Sequence, residues 1–321
     1  MSDLNCIELC AGAGGQALGL EKAGFKHLAL ADIDTHCCQT LRVNRPLWNV
    51  AQADIRDWTG ASKYRGHTVL LAGGLPCPPF SVAGKQLGMN DERDLFPAAL
   101  RLIDEVGPKA VMIENVRGIL DPVFLKYRQH IEHELHSMGY RSQWRMFSAS
   151  DFGVPQLRPR VFLVALVEGL WQHFSWPTRS RKKPGTVGEV LFDLMASSGW
   201  AGAEDWKLKA NAIAPTIVGG STKHGGPDLG PTRAKRAWRE LGVDGHGIAD
   251  LPPEPDFTGM PRLTVRMVAR LQGFPDSWAF SGRKTHSYRQ VGNALPPPVA
   301  YAIARQIMRC LNAGEKLQVA V

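Results

Sequence analysis

A cysteine stands in a proline-stiffened loop that directly follows an apolar stretch. Residues 69–72 read Val-Leu-Leu-Ala, which is typical of a buried parallel strand, and two glycines then end the stretch. Cys77 comes next, between Pro76 and Pro78, whose rings fix φ and remove backbone donors. The thiol is therefore expected in a rigid turn at the carboxyl end of a strand, where open α/β sheets bind ligands. It is a candidate nucleophile, and a cysteine that only packs as a small hydrophobe is the alternative.

A carboxylate follows another predicted strand. Residues 109–113 form a short, mostly apolar stretch, and the strand they predict carries Glu114 to the same edge of the sheet as Cys77. A carboxylate at the end of an apolar strand is costly to bury unless it is functional or paired. We favour a functional role for Glu114.

Two arginines follow further along the chain. Arg158 and Arg160 are two residues apart on a segment predicted to be extended, so their side chains are expected to point the same way. This spacing fits a shared anion or base edge, and it also fits a solvated strand face.

A glycine-rich loop lies near the start of the chain, between a predicted strand and a predicted helix over residues 16–23. Gly12 and Gly14 fit the permissive form of the dinucleotide fingerprint, in which backbone N–H groups approach a ligand. Asp32 ends the next predicted strand, about twenty residues after the first glycine, where an acid would bind ribose hydroxyls. Asp54 follows a further short apolar stretch. The pattern fits a nicotinamide dinucleotide, S-adenosylmethionine, or a tight turn without a ligand.

Composition limits the class of protein. The chain has 321 residues, 44% of them hydrophobic, and a formal net charge of +8, which favours a polyanionic partner. Its six cysteines include no CxxC pair, so neither a zinc site nor a disulfide framework is expected. The sequence has no transmembrane-length apolar run and no signal-peptide pattern at its start. These features predict a cytoplasmic protein without a membrane partner.

The composition changes after about residue 169, where tryptophans mix with glycine, proline and basic clusters over 179–183 and 233–239. Basic residues interleaved with aromatics fit a nucleic-acid surface, although most of the tryptophans are expected in a small local core. We predict a catalytic and cofactor-binding domain at 1–170 plus 281–321, and a smaller, irregular target-recognition domain at 171–280. The catalytic domain is predicted to be α/β, with a doubly wound, mostly parallel sheet.

Taken together in chain order, these motifs resemble those of cytosine-5 DNA methyltransferases of the bacterial restriction–modification type. The resemblance covers nearly the whole chain and includes residues 8–15, 32, 54–55, 76–77 with 80–81, 114–116, 156–160, 262–275 and 290–293. It implies a Rossmann-like fold of the S-adenosylmethionine-dependent methyltransferase type.

The resemblance also implies a mechanism. Cys77 would attack carbon 6 of a flipped-out cytosine, which makes carbon 5 nucleophilic toward the methyl group of S-adenosylmethionine. Glu114 would hold nitrogen 3 and the exocyclic amine, and it must be protonated at least transiently to donate to nitrogen 3. Arg160 would bind oxygen 2, supported by Arg158 and Gln156. Residues 84–96 would close over the base.

Further site residues follow from the resemblance alone, which implies no metal. The residues expected to contact the cofactor are Cys10, Ala11, Gly12, Gly14, Gly15, Asp32, Ile33, Asp54, Ile55, Pro76, Leu95, Asn293 and Ala294. Asp32 would take the ribose hydroxyls and Asp54 the adenine amine. The residues expected to contact the substrate are Ser81, Gln156, Thr216 and Arg266.

The chain departs from the family pattern at three positions. Cys10 replaces a phenylalanine that stacks on adenine, Pro78 a glutamine, and Met267 a glutamate. The first change would weaken the stack or leave it to a neighbour.

Three other functions compete. A nicotinamide oxidoreductase does not need Cys77 and Glu114, and neither does an inactive DNA-binding relative. A transfer-RNA cytosine-5 methyltransferase would use the same chemistry. The preferred partner is duplex DNA, bound by a monomer that associates with the nucleoid, with a cognate restriction endonuclease acting separately.

Overall fold

The structure is a computed structural model that describes residues 3–76, 94–181, 183–219 and 227–319, with side chains through residue 314. Its contacts divide the chain into two compact units. Unit 1 comprises residues 1–147, 159–178 and 300–321, and unit 2 comprises 148–158 and 179–299. The two units are defined by contacts within the chain and not by function, so the recognition domain at 171–280 stays a prediction.

A seven-stranded sheet forms the framework of unit 1, in the order β3-β2-β1-β4-β5-β7-β6. Strands β1 to β5 pair in parallel, and β7 runs antiparallel to β5. The strands are β1 Asn5–Leu9, β2 Lys26–Asp32, β3 Val50–Gln52, β4 Leu70–Gly74, β5 Ala110–Val116, β6 Tyr140–Ser148 and β7 Pro159–Val167. The expected α/β class with a mostly parallel sheet is confirmed.

The strand order reverses between β1 and β4, because the chain builds outward from β1 in one direction and from β4 in the other. In open α/β sheets such a switch point leaves a crevice at the carboxyl ends of the strands, where ligands bind. Leu9 pairs with Gly73 at this edge, and a Cβ on Gly73 would come within 3.1 Å of the Leu9 carbonyl oxygen. The glycine therefore lets the two strand ends approach closely.

Helices connect these strands, and further helices lie in unit 2. They are α1 Gly15–Lys22, α2 Thr35–Asn44, α3 Phe96–Val106, α4 Leu125–Ser137, α5 Glu168–Trp171, α6 Val187–Met195, α7 Ala203–Lys209, α8 Thr232–Glu240, α9 Val265–Leu271, α10 Lys284–Asn293 and α11 Pro297–Val319. None of the helices in the described ranges combines the length and apolar character needed to cross a bilayer.

Local signals explain where the helices of unit 1 begin and end. Asp34 caps α2, since its carboxylate accepts the N–H groups of His36 and Cys37 at 2.8 and 3.0 Å. The α3 helix ends at Gly107, whose φ of 60° lies in the left-handed region. The apolar face of α3 joins the core beneath the sheet.

The tryptophans of the compositionally distinct region fall in both units. Trp200, Trp206 and Trp238 are buried in unit 2, as expected for a local core, and the first two donate their indole N–H groups to main-chain carbonyls. Trp176 instead belongs to unit 1, where its ring lies 5.8 Å from that of Phe147. Composition could not predict that Trp176 packs in unit 1, because composition does not indicate which strands a segment contacts.

Candidate active site

The loop after β1 has an unusual backbone. Cys10, Gly12 and Gly14 have φ values of 51°, 54° and 83°, all in the left-handed region. A non-glycine residue there is strained by about 1–2 kcal/mol, and such strain concentrates at functional sites. A Cβ on Gly12 would meet no atom within 4 Å, so the main chain at this turn is open to a ligand. Burial raises the pKa of the Cys10 thiol, which keeps it neutral.

Asp32 ties this loop to the end of β2. One carboxylate oxygen accepts the Gly12 N–H at 2.7 Å, and the other accepts the Asp34 N–H at 2.8 Å. Burial raises the pKa of the Asp32 carboxyl, although these hydrogen bonds favour its charged form. A carboxylate has about four acceptor positions. Asp32 can therefore hold the loop and still accept hydroxyl groups.

Two neighbouring side chains flank the same edge. Ile33 is 64% exposed, which is unusual for an aliphatic residue directly after a buried strand end. The Asp54 carboxylate accepts the Arg56 Nε–H at 3.0 Å, and this contact lowers the Asp54 pKa. Ile55 is buried and Leu95 packs against the same core, whereas Pro76 is exposed. Ile33 and Asp54 offer an apolar face and an acceptor to a planar ring.

Glu114 and Arg160 form a buried ion pair. In the β5–β7 register, Glu114 is opposite Phe162 and Arg160 is opposite Val116, so the two lie diagonally on one face of the sheet. The Arg160 Nε lies 2.7 Å from Glu114 Oε1, and Arg160 Nη1 donates to the Pro159 carbonyl oxygen. Burial lowers the pKa of Arg160, while Glu114 opposes that shift. Arg160 therefore orients the Glu114 carboxylate. Strand β5, which carries Glu114, extends to Val116 and so ends later than the predicted residue 113.

Arg158 has a different environment. It is 1% exposed, and its guanidinium donates to the carbonyl oxygens of Ile217 and Gly292, the latter at 2.8 Å. The expectation of a solvated strand face is wrong for Arg158. Within unit 2, its contacts join three chain segments that are far apart in sequence.

The Gln156 side chain extends the same network in unit 2. It accepts the Ile217 N–H at 2.9 Å and donates to Gln272, which in turn donates to the carbonyl oxygens of Val291 and Ala294. Gln272 is not among the residues predicted from the sequence. Only its position in the 262–275 motif could have pointed to it.

The other predicted residues of unit 2 lie around this network or on α9. Thr216 donates its hydroxyl to the Leu157 carbonyl oxygen. Asn293 is exposed and packs against Gly219, where a Cβ would collide with its side chain. Arg266 is exposed and lies 3.0 Å from Asp276. The structure thus places Thr216 and Asn293 beside the segments that Arg158 joins.

The unit 1 residues meet at the switch point. Gly12 and Asp32 are hydrogen-bonded, and Ala53 bonds to Asp32 through the main chain. A Cβ on Gly74 would lie 3.5 Å from Glu114 Oε2 and 3.9 Å from the Cys10 carbonyl oxygen, which brings the loop and the carboxylate to one place. Cys77, Ser81 and residues 84–93 of the predicted closing loop lie outside the described residues.

Comparison with known proteins shows the family to which this chain belongs. A family model described as C-5 cytosine-specific DNA methylase matches residues 4–309. The chain belongs to this family. The enzyme class that the motifs indicated, a DNA cytosine-5 methyltransferase, is therefore confirmed.

Curated relatives of this methyltransferase are similar over nearly its whole length. The type II methyltransferase M.NaeI of Lentzea aerocolonigenes is 57% identical over 316 residues, covering 97% of this chain and 76% of its own. M.NgoMIV of Neisseria gonorrhoeae is 56% identical over 309 residues, covering 95% and 97%.

Solved structures support the fold of the methyltransferase. A DNA modification methyltransferase encoded within an E. coli prophage has a TM-score of 0.66 at 24% identity, over 96% of this chain and 99% of its own. A DNMT2 of Spodoptera frugiperda has a TM-score of 0.66 at 19% identity, over 95% and 99%. At these identities the likeness concerns the Rossmann-like α/β fold alone.

Proposed function

We propose that this methyltransferase takes a methyl group from S-adenosylmethionine and transfers it to carbon 5 of a cytosine in a short specific site of duplex DNA. The main support is the buried Glu114–Arg160 pair beside the β1–β4 switch point, where a cofactor loop and a base-holding carboxylate meet. The proposed nucleophile is Cys77, two residues beyond the last described apolar residue of the β4 segment.

The residues at the β1 and β2 ends fit a nucleoside cofactor. The open main chain at Gly12 and Gly14 lets a ligand approach, and Asp32 offers acceptors for ribose hydroxyls. Exposed Ile33 offers an apolar face to adenine, and Asp54 offers an acceptor for its amine. S-adenosylmethionine, when bound, supplies an electrophilic methyl group.

The protein's own residues then activate the base. The Cys77 thiolate forms a bond to carbon 6 of cytosine, and its electron pair makes carbon 5 nucleophilic. Glu114 donates a proton or hydrogen bond to nitrogen 3, which offsets the charge that develops on the ring. Arg160 keeps Glu114 in place and binds oxygen 2. After carbon 5 has accepted the methyl group, its proton passes to solvent water, the carbon–hydrogen electron pair re-forms the double bond between carbons 5 and 6, and the carbon 6–sulfur pair leaves with the Cys77 thiolate.

The substrate must present its base outside the helix, because stacking hides carbon 6 in duplex DNA. The basic clusters of unit 2 supply phosphate contacts for this step. Methylation of a specific site would protect DNA from a cognate restriction endonuclease, as the type II classification of the relatives suggests.

Transfer of tritiated methyl groups from S-adenosylmethionine tests the proposal. We expect label on duplex DNA, none on transfer RNA, and none on either with Cys77→Ala, whereas Cys37→Ala on α2 should retain activity. Bisulfite sequencing of the product should show one methylated cytosine per recurring short site. Label on transfer RNA alone would assign the alternative substrate, and an active Cys77→Ala enzyme would refute the covalent step.

A further inference from the structure

Gln16 is a buried polar side chain without a hydrogen-bond partner among the described residues. It lies in the first turn of α1, is 4% exposed, and both its amide oxygen and nitrogen are buried. Leaving such groups unsatisfied costs about 1–3 kcal/mol each, so buried amides normally have a partner. The absence of a partner among the residues that the structure describes points to a ligand.

The Gln16 amide lies where the predicted cofactor loop meets the base-holding carboxylate. A Cβ atom placed on Gly74 would lie 3.9 Å from Gln16 Oε1, 3.9 Å from the Cys10 carbonyl oxygen and 3.5 Å from Glu114 Oε2. Three oxygen atoms, from the loop after β1, from α1 and from β5, thus lie around the carboxyl end of β4. Convergent oxygens produce a negative potential that favours a cation.

The transfer reaction requires a cation at such a place. The methyl group passes from the cofactor to the base, so the sulfonium must lie between the loop that holds the cofactor and the carboxylate that holds the base. The sulfonium is positively charged before transfer, and the thioether of the product is neutral. A neutral amide oxygen can contact the cation without forming the strong ion pair that a carboxylate would form.

We propose that the Gln16 side-chain oxygen, together with the Cys10 carbonyl, contacts the sulfonium end of S-adenosylmethionine and makes the enzyme prefer the cofactor over S-adenosylhomocysteine. This inference rests on the proposed function, because it assumes that cofactor. The preference reduces product inhibition, since the contact is lost when the positive charge is lost.

Calorimetric titration of both ligands tests the inference without measuring activity. Gln16→Met keeps the side-chain length and removes the amide, and Gln129→Met is the control on the exposed face of α4. We expect Gln16→Met to weaken S-adenosylmethionine binding about tenfold, the value of one charge-assisted contact, with the Kd for S-adenosylhomocysteine unchanged within about twofold. The control should change neither Kd.

A second variant covers the case in which Gln16→Met does not fold. Gln16→Asn keeps the amide but withdraws it by one methylene, and it should weaken S-adenosylmethionine binding alone. Equal weakening of both ligands, or no change in either, overturns the role of Gln16 while leaving the proposed cofactor intact. Wild-type enzyme that binds neither ligand overturns the cofactor and this inference together.

Discussion

Cys10 combines a strained backbone with a short side chain at the predicted adenine site. Its φ of 51° is costly for any residue with a Cβ, and its thiol lacks the ring that most members of the family place there. Ile33 is exposed and directly follows Asp32, whose carboxylate binds the loop after β1 through the Gly12 N–H. We infer that Ile33 takes over the apolar contact with adenine.

The Ile33→Ala variant measures this contact. Ile33 is 64% exposed, and covering it with a ring is worth about 1.4 kcal/mol, or a tenfold change in Kd. We therefore expect about tenfold weaker S-adenosylmethionine binding by calorimetry. Val43→Ala is the matched control, because Val43 on α2 is 62% exposed. Similar losses in both variants would contradict a specific role for Ile33.

Glu114→Gln tests the proton-donating role of this carboxyl group. The amide keeps the shape of the carboxyl but cannot give a proton to nitrogen 3, and general acid catalysis is worth about 10²–10⁴-fold. We expect single-turnover methyl transfer to slow by that factor, while cofactor affinity remains within about twofold. Glu132→Gln on α4 should match wild type. Transfer at the wild-type rate in Glu114→Gln would rule out a proton-donating role.

Arg158→Met should act on stability. Removing the guanidinium leaves the Ile217 and Gly292 carbonyl oxygens without this donor, at about 1–3 kcal/mol each. The free energy of unfolding in urea should fall by about 2–5 kcal/mol. Arg239→Met, on the exposed side of α8, should change it by less than about 0.5 kcal/mol. Unchanged stability in Arg158→Met would contradict a structural role and favour the role that the resemblance implied, which is support of Arg160.

The residues that the sequence could predict differ in kind from those it could not. Asp32 is the last residue of β2 and Glu114 lies near the carboxyl end of β5, each after an apolar run, so the apolar pattern alone places them near the sheet edge. The partners of Arg158 and Gln272 are main-chain carbonyls on distant segments, and no local pattern indicates them. Gln16 has no local signal of its own, because a polar residue in the first turn of a helix is ordinarily solvated.

At the scale of elements, α8 presents a basic face. Arg233, Arg236 and Arg239 are all exposed and follow each other every third residue, whereas Lys235 is paired with Asp228 at 2.7 Å. Residues at this spacing share one side of a helix. The three arginines are therefore available to bind phosphate groups.

Replacing the three arginines by glutamine should reduce the salt dependence of DNA binding. Each phosphate contact contributes about 0.9 to the slope of log K against log salt concentration, so the slope should become shallower by about 2–3. Fluorescence anisotropy across a salt series measures this slope. The charge-matched control replaces the exposed lysines Lys63, Lys109 and Lys126 of unit 1 with glutamine. An equal change in the control would mean that DNA binding depends on the net charge of the chain and not on the α8 arginines.

Most elements were predictable because their apolar residues repeat with the period of a strand or helix. The helix predicted over residues 16–23 is observed as Gly15–Lys22, and the apolar stretch at 69–72 overlaps the strand Leu70–Gly74. The end of β5 was placed too early, at residue 113, because Glu114 and Asn115 are polar. Pairing with β7 outweighs that local preference, since Glu114 gains Arg160 as a partner on the neighbouring strand.

At the scale of the whole molecule, composition predicts a second region, but the packing of the chain follows long-range contacts that composition does not report. Residues 148–158 join unit 2 although they lie far before the change in composition. Long-range pairing explains this, because Leu157 donates to the Ala214 carbonyl oxygen and Gln156 bridges to Ala214. Such pairings depend on the folded chain and leave no trace in local sequence.

The stability of the folded chain should fall as the pH rises above neutrality. Glu8 on β1 and His27 on β2 lie 3.3 Å apart, and both side chains are 1% exposed. Burial alone lowers the pKa of His27, but contacts with Cys6 and Glu8 outweigh it and raise that pKa to about 10. Burial also raises the pKa of Glu8. The folded state therefore binds more protons than the unfolded state over this range.

The sign of the pH effect follows from that excess of bound protons. Stabilisation by His27 is complete below its unfolded pKa of about 6.5 and is lost as the pH rises toward 10, at no more than about 1.4 kcal/mol per pH unit. Urea unfolding followed by tryptophan fluorescence between pH 6.5 and 9.5 should show this decline. The decline should flatten in His27→Leu and persist in His133→Leu, which changes an exposed histidine on α4. Identical slopes in all three proteins would mean that the buried pair does not hold its proton, and the pH dependence of folding would then belong to other groups.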